Sequence, residues 1–224
     1  GVHGFTHDKL FNLTPQKAKE EISKAKKILE DLTGDRIYGY RAPAFSLIPE
    51  TRWIFEILNN LEFLYDSSII PAKMGRYGWS GFEKDIIRIN MADDTVLYEA
   101  PLSIVKVMGR NIPACGGGYL RYFPLSFTKW AFRSIVKRRP VIIYLHPYEI
   151  DNERYPDYFY ASVKNAPFKK KISLLLYRYK KGSVIHKLSE MLNQYEFIPL
   201  VENIKRLGNE GKLKSLSIHD LISK

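Results

Sequence analysis

One cysteine, Cys115, is all that the 224 residues contain. An internal disulfide framework is therefore excluded, and so is a cysteine-rich zinc module. A single thiol fits a reducing compartment and is equally compatible with export. No apolar run approaches the roughly 20 residues that cross a bilayer. The longest, Ile172–Tyr177, is interrupted by Ser173 and flanked by Lys171 and Arg178. Nucleic-acid motifs are missing as well: there is no zinc-finger spacing, no aromatic ribonucleoprotein signature and no basic zipper. The chain opens on Gly1-Val2-His3, which is neither an initiator methionine nor a signal peptide. The expectation is a sequence that begins in mid-domain, with any targeting signal upstream.

What is present describes a packed globule. Hydrophobic residues make up 45% and aromatic residues 13% of the chain, enough apolar surface for one sizeable core. Lysine and arginine outnumber the acids 35 to 24, a net charge of +11. Basic residues gather in Lys137-Arg138-Arg139, in Lys169-Lys170-Lys171, and in Arg178 with Lys180-Lys181. Such a field attracts nucleic acid, anionic lipid or acidic polysaccharide alike. Without a nucleic-acid motif, the reading is a solvated basic face. No repeat or flexible linker divides the sequence, so residues 1–224 are expected to form a single domain.

Helix and strand signals alternate. Thr14-Pro15 is an N-cap followed by proline at the first helical position. Ala18, Ile22, Ala25, Ile28, Leu29 and Leu32 follow at helical spacing, and Gly34 is a stop. Ile37–Tyr40 reads as a strand, Pro49–Asn60 as a helix with Trp53, Ile57 and Leu58 inward, and Leu61–Tyr65 as a strand. Short strands follow at Ile86–Ile89, Val96–Glu99 and Ser103–Val107, with Asp93-Asp94 in a turn. Gly116-Gly117-Gly118 is a loop, and Pro124–Lys137 a helix carrying Phe127, Trp130, Ala131 and Ile135. Val141–Leu145 has the unbroken apolarity of a buried parallel strand. Asp151–Lys181 is a tyrosine- and lysine-rich excursion. Ser183 caps a helix to about Gln194, and Phe197–Leu200 is the last strand. Strand-then-helix alternation points to a β/α barrel or an open parallel sheet, whose chemistry gathers at the carboxyl ends of the strands.

Four groups sit at such ends. His3 and His7 are four apart, so one turn puts both imidazoles on one side, where they either share a metal or form an ordinary surface pair. His146, past the apolar run, is suited to give a proton to a leaving amine, or is a structural histidine beside Pro147. Asp66 either orients such a histidine or forms a turn with Ser67. Arg41 pairs with a catalytic carboxylate or with a surface acid.

In order along the chain these groups are His3-Gly4-Phe5-Thr6-His7, Tyr40-Arg41-Ala42-Pro43, Tyr65-Asp66-Ser67-Ser68 and Tyr144-Leu145-His146-Pro147. The series resembles the polysaccharide deacetylase family, whose members deacetylate chitin oligomers and peptidoglycan. Arg76-Tyr77-Gly78, Gly116-Gly117-Gly118-Tyr119 and Glu149-Ile150-Asp151 resemble the branch associated with bacterial exopolysaccharide gene clusters. The resemblance implies an α/β fold, a distorted β/α barrel, holding one divalent metal, zinc above all. It implies hydrolysis of N-acetyl groups on an N-acetylated polysaccharide or oligosaccharide of the bacterial cell envelope. By position, His3 and His7 would be metal ligands, His146 the general acid, Asp66 the residue that tunes it, and Arg41 the residue that orients the base. The backbone N–H of Ala44 would bind the oxyanion, and Tyr119 and Tyr148 would face sugar.

The departure lies at the start. The family's general base and third metal ligand are aspartates on a first strand before the histidine motif, and Asp93-Asp94 does not replace them. Asp8 follows His7 directly and is expected to point elsewhere. The expectation is an N-terminally incomplete barrel. Two other readings stand beside deacetylation: a carbohydrate-binding remnant of the same fold without activity, and a basic protein that binds polyanions.

Overall fold

The computed structural model describes residues 1–75, 77–151, 153, 157–168, 171–172, 180 and 182–222. Arg76, Lys169, Lys170, Arg178, Lys181 and residues 173–177 of the longest apolar run lie outside them. The first helix, α1 (Pro15–Thr33), forms as its sequence dictates. The Thr14 side chain accepts the Lys17 N–H, and Ala18, Ile22 and Ala25 make the buried face. Gly34 ends the helix at φ 71°, a left-handed position that favours glycine.

Next come β1 (Gly39–Tyr40), α2 (Ile54–Asn60) and β2 (Tyr65–Asp66). Then follow β3 (Ile87–Asn90), β4 (Val96–Glu99), β5 (Ile104–Val107) and β6 (Arg110–Pro113). The helices α3 (Gly117–Tyr122), α4 (Leu125–Val136), α5 (Pro147–Ile150), α6 (Asp157–Asn165), α7 (Ser183–Leu192) and α8 (Leu200–Asn209) follow. Strand β7 (Lys214–Ser217) and α9 (Ile218–Ile222) end the described chain.

Five strands join in the order β1-β2-β4-β3-β7. The β1–β2, β2–β4 and β3–β7 pairs are parallel and β3–β4 is antiparallel. β5 and β6 form a separate antiparallel hairpin. Val2 extends the sheet past β1: its N–H donates to the Gly39 carbonyl at 2.8 Å and its carbonyl accepts from Arg41 N–H at 2.9 Å. The expected α/β class with a parallel sheet is what the chain adopts.

Hydrophobic burial fixes the layers. Ile22 of α1 and Phe55 and Leu58 of α2 pack with Ile87, Ile89 and Leu97 of the sheet. Each of these side chains contributes about 1.5–3 kcal/mol on leaving water. A second cluster joins Ile70, Ile86, Leu102, Ile142 and Ile204, and a third joins Val105, Ala131, Phe132, Ile135 and Met191.

Several sequence expectations shift. Val141–Leu145 is no strand: Tyr144 makes one parallel bridge to Gly116, and only Ile142 of the five is buried. Its flank opens on a cavity, so the apolar run lacks the lateral partners that would make a ladder. Phe197–Leu200 leads into α8, and the last strand is Lys214–Ser217, whose polar alternation was not read as a strand. Ser183 begins α7 instead of capping it, its hydroxyl donating to the Lys180 carbonyl. Gly116-Gly117-Gly118 runs into α3 instead of remaining a loop. Trp130 points outward, 45% exposed. Among the described residues no helix is long and apolar enough to cross a membrane.

Candidate active site

A cavity of about 1280 Å³ opens at the carboxyl ends of β1 and β2, between them and Val141–Leu145. His3, His7, Arg41, Ala44 and His146 line it together. The backbone is bent to achieve this. His7 stands at φ 63°, and Ala44 and Phe45 are consecutive left-handed residues at φ 53° and 51°. Outside glycine such positions cost roughly 1–3 kcal/mol each and cluster at functional sites. Gly39 is required for a different reason: a Cβ there would collide with the ring of Tyr65 on the neighbouring strand.

The two N-terminal imidazoles meet edge to face with ring centroids 5.0 Å apart. Nδ1 of His3 lies 2.7 Å from the Arg41 carbonyl oxygen, which leaves Nε2 as the nitrogen free to bind a ligand. Burial is the main cause of a lowered His3 pKa, and His7, Arg41 and His146 lower it further by charge. Both effects favour the neutral, ligating form. Metal-binding histidines commonly use a backbone carbonyl in this way. His3 and His7 thus fit two positions of a metal shell. Among the described residues no group of three or more His, Cys, Asp or Glu gathers to complete one. Asp8 points away from the pair, sharing the Thr6 hydroxyl with Glu21.

Arg41 is locked by Ser67. Its Nε donates to the Ser67 carbonyl at 2.8 Å and its Nη2 to the Ser67 hydroxyl at 2.7 Å. The Ser67 hydroxyl in turn donates to the Ala100 carbonyl. The next amide, Ala42 N–H, donates to the Ser68 hydroxyl at 2.7 Å.

Asp66 lies beneath the cavity wall, fully buried. It accepts from the Ser68 hydroxyl and the Ser68 amide. It shares a hydrogen bond with Glu99, also fully buried, whose Oε1 accepts the Ile69 N–H. Burial drives both pKa values up, and the charge of Asp66 pushes Glu99 further, well above the ordinary carboxylate range. The pair is thus built to hold one proton between two carboxyls. This corrects the expected partnership of Asp66 with His146: β2 turns the Asp66 side chain into the core, toward Glu99 of β4. Glu99 escaped the sequence reading because it reads as the end of an ordinary strand.

The carboxylate at His146 is Glu149. Its Oε2 accepts the His146 backbone N–H at 3.0 Å and lies 3.3 Å from the ring Nδ1. The His146 ring stacks on Tyr148, centroids 5.1 Å apart and 21° between planes. Tyr119 is half-buried outside the cavity wall, its hydroxyl 3.9 Å from the Met74 sulfur.

Residues 1–62 match the family model described as polysaccharide deacetylase, and residues 67–205 match the model described as a domain of unknown function, DUF3473. A crystal structure of a chain assigned as a polysaccharide deacetylase from Mycobacterium smegmatis superposes with a TM-score of 0.57. It covers 96% of this chain and 65% of that one at 13% identity, and so speaks to the fold. The peptidoglycan deacetylase-like protein FGM2 of Gibberella zeae is 30% identical over 111 residues, 47% of this chain. The chain spans 32% of the length of that relative. Over residues 67–205, more than half its length, the chain belongs to the family described as DUF3473, and its first 62 residues carry the match to polysaccharide deacetylase.

Proposed function

We propose that residues 1–224 form one domain that, in the whole natural protein, takes part in hydrolysing N-acetyl groups on an N-acetylated polysaccharide, of the exopolysaccharide kind that the later motifs resemble. The observation that carries this reading is the convergence of His3, His7, Arg41, Ala44 and His146 on one cavity. His3 and His7 would hold a divalent metal, zinc by preference for two imidazoles. When bound, it supplies Lewis acidity at the acetamide.

Residues of this chain would supply three further roles. The Arg41 guanidinium, fixed by Ser67, offers an oriented positive charge for a carboxylate or for developing negative charge. The backbone N–H of Ala44, in a left-handed turn at the cavity wall, would donate to the carbonyl oxygen as it becomes an oxyanion. Attack by water would form a C–O bond and open the C=O bond, the water's proton passing to the carboxylate base that Arg41 would orient, and collapse would re-form the C=O bond and break the C–N bond. His146, protonated, gives its proton to the departing sugar amine. Tyr148, stacked on the His146 ring, is assigned to sugar contact beside the cavity; Tyr119, outside the cavity wall, would meet only a sugar that extends beyond it. Asp66, with Glu99, supports the Ser67-Ser68 turn that holds Arg41 and Ala42.

The test is acetate release from an N-acetylglucosamine oligomer by the natural protein, with metal added and with metal chelated. Metal-dependent release supports the reading. Oligomer binding without acetate release would make the protein a carbohydrate-binding module, and binding of polyanions alone would make it a basic scaffold.

A further inference from the structure

We propose that Glu149 is the positioning residue for His146, fixing which ring nitrogen carries the exchangeable proton and the angle at which the ring meets the cavity. The proposal rests on the role given to His146 above.

Glu149 is the third residue of the short helix α5, which starts with Pro147 directly after His146. Its side chain is 1% exposed while that of His146 is 48% exposed. One oxygen, Oε2, meets both the backbone N–H and the ring Nδ1 of His146. The other, Oε1, has no hydrogen-bond partner among the described residues. Leaving a buried carboxylate oxygen unpaired is costly, and satisfying one backbone N–H at a helix start does not require it. His146 and Glu149 form a capping box, and a glutamine at this third helical position would accept the same N–H without burying a charge. The cost is explained if the carboxylate serves the imidazole. A carboxylate at Nδ1 selects the Nδ1–H tautomer, so Nε2 is left to exchange its proton with a leaving group. Tyr148 stacks on the ring face, and Tyr144 meets it at 6.0 Å and 84°. The ring is thus held at one nitrogen and over its plane, with Nε2 unconstrained by either contact.

The experiment uses the natural protein and its Glu149→Gln and Glu149→Leu variants. The tautomer of His146 is read by long-range proton–nitrogen NMR, alongside kcat and KM on the N-acetylglucosamine oligomer. Neutral His146 is expected to carry its proton on Nδ1 in the unaltered protein. Glu149→Gln keeps an acceptor and is expected to retain that tautomer in part. Glu149→Leu is expected to move the proton to Nε2 and to lower kcat by about ten- to a hundredfold, with KM within about twofold. An Nε2–H tautomer in the unaltered protein would overturn the proposal, and so would an unchanged tautomer in a folded Glu149→Leu variant. The unaltered protein's tautomer decides the matter even where a variant fails to fold. If His146→Ala leaves turnover intact, the deacetylase reading of His146 fails, while the tautomer still reports on Glu149.

Discussion

Nδ1 of His3 and the carbonyl oxygen of Arg41 lie 2.7 Å apart, so the residue whose guanidinium lines the cavity also orients the imidazole beside it. Because that contact engages Nδ1, His3 is expected to bind metal through Nε2. His3→Ala and His7→Ala should each lower zinc affinity of the natural protein more than the roughly ten- to hundredfold seen for loss of an outer-shell partner. Isothermal calorimetry measures this. Unchanged affinity in both variants would remove the pair as ligands.

His146 is assigned to the proton and not to the metal. His146→Ala should lower turnover by about a hundredfold to ten-thousandfold and leave bound zinc, counted by elemental analysis, at the unaltered level. Loss of zinc on that substitution would contradict the assignment.

Asp66 and Glu99 make stability depend on pH in a direction that can be worked out. Both carboxyls have pKa values raised by burial in the folded chain. Between the ordinary carboxylate value near 4 and the raised value, the folded state keeps a proton that the unfolded state has lost. Folding stability from this pair is therefore full below the ordinary value and declines as pH rises through the raised one. Glu99→Gln keeps the acceptor for Ile69 N–H and cannot ionise, so its stability should decline less between pH 5 and pH 8. Parallel urea melts of the two proteins across that range check this; equal slopes would contradict the shared proton.

Gly39 and Tyr65 face each other across β1 and β2, and both line the cavity. Gly39→Ala forces the Tyr65 ring to move. It should cost about 1–3 kcal/mol, the usual penalty of overpacking, by chemical denaturation.

Much of this was legible in the sequence. Thr14-Pro15, the 18-22-25 spacing and Gly34 specify α1 by local chemistry, and the four motifs place His3, His7, Arg41 and His146 at one cavity. What escaped depends on long-range partners. Val141–Leu145 has strand composition, but a strand also needs neighbours, and its flank faces the cavity. Lys214–Ser217 has a polar strand pattern that becomes a strand only by pairing with β3. Glu149 holds the place at His146 expected of Asp66 because a sequence does not state which face of β2 a side chain takes. The three-residue spacing from His146 to Glu149, across a proline at the first helical position, was the available signal for the Glu149 contact.

The account stands most directly on acetate released from an N-acetylglucosamine oligomer by the natural protein and by its His3→Ala/His7→Ala variant, at equal concentration and with zinc supplied. It predicts release by the unaltered protein that stops on chelation and is lost in the variant. Release by the folded variant at the unaltered rate would contradict it.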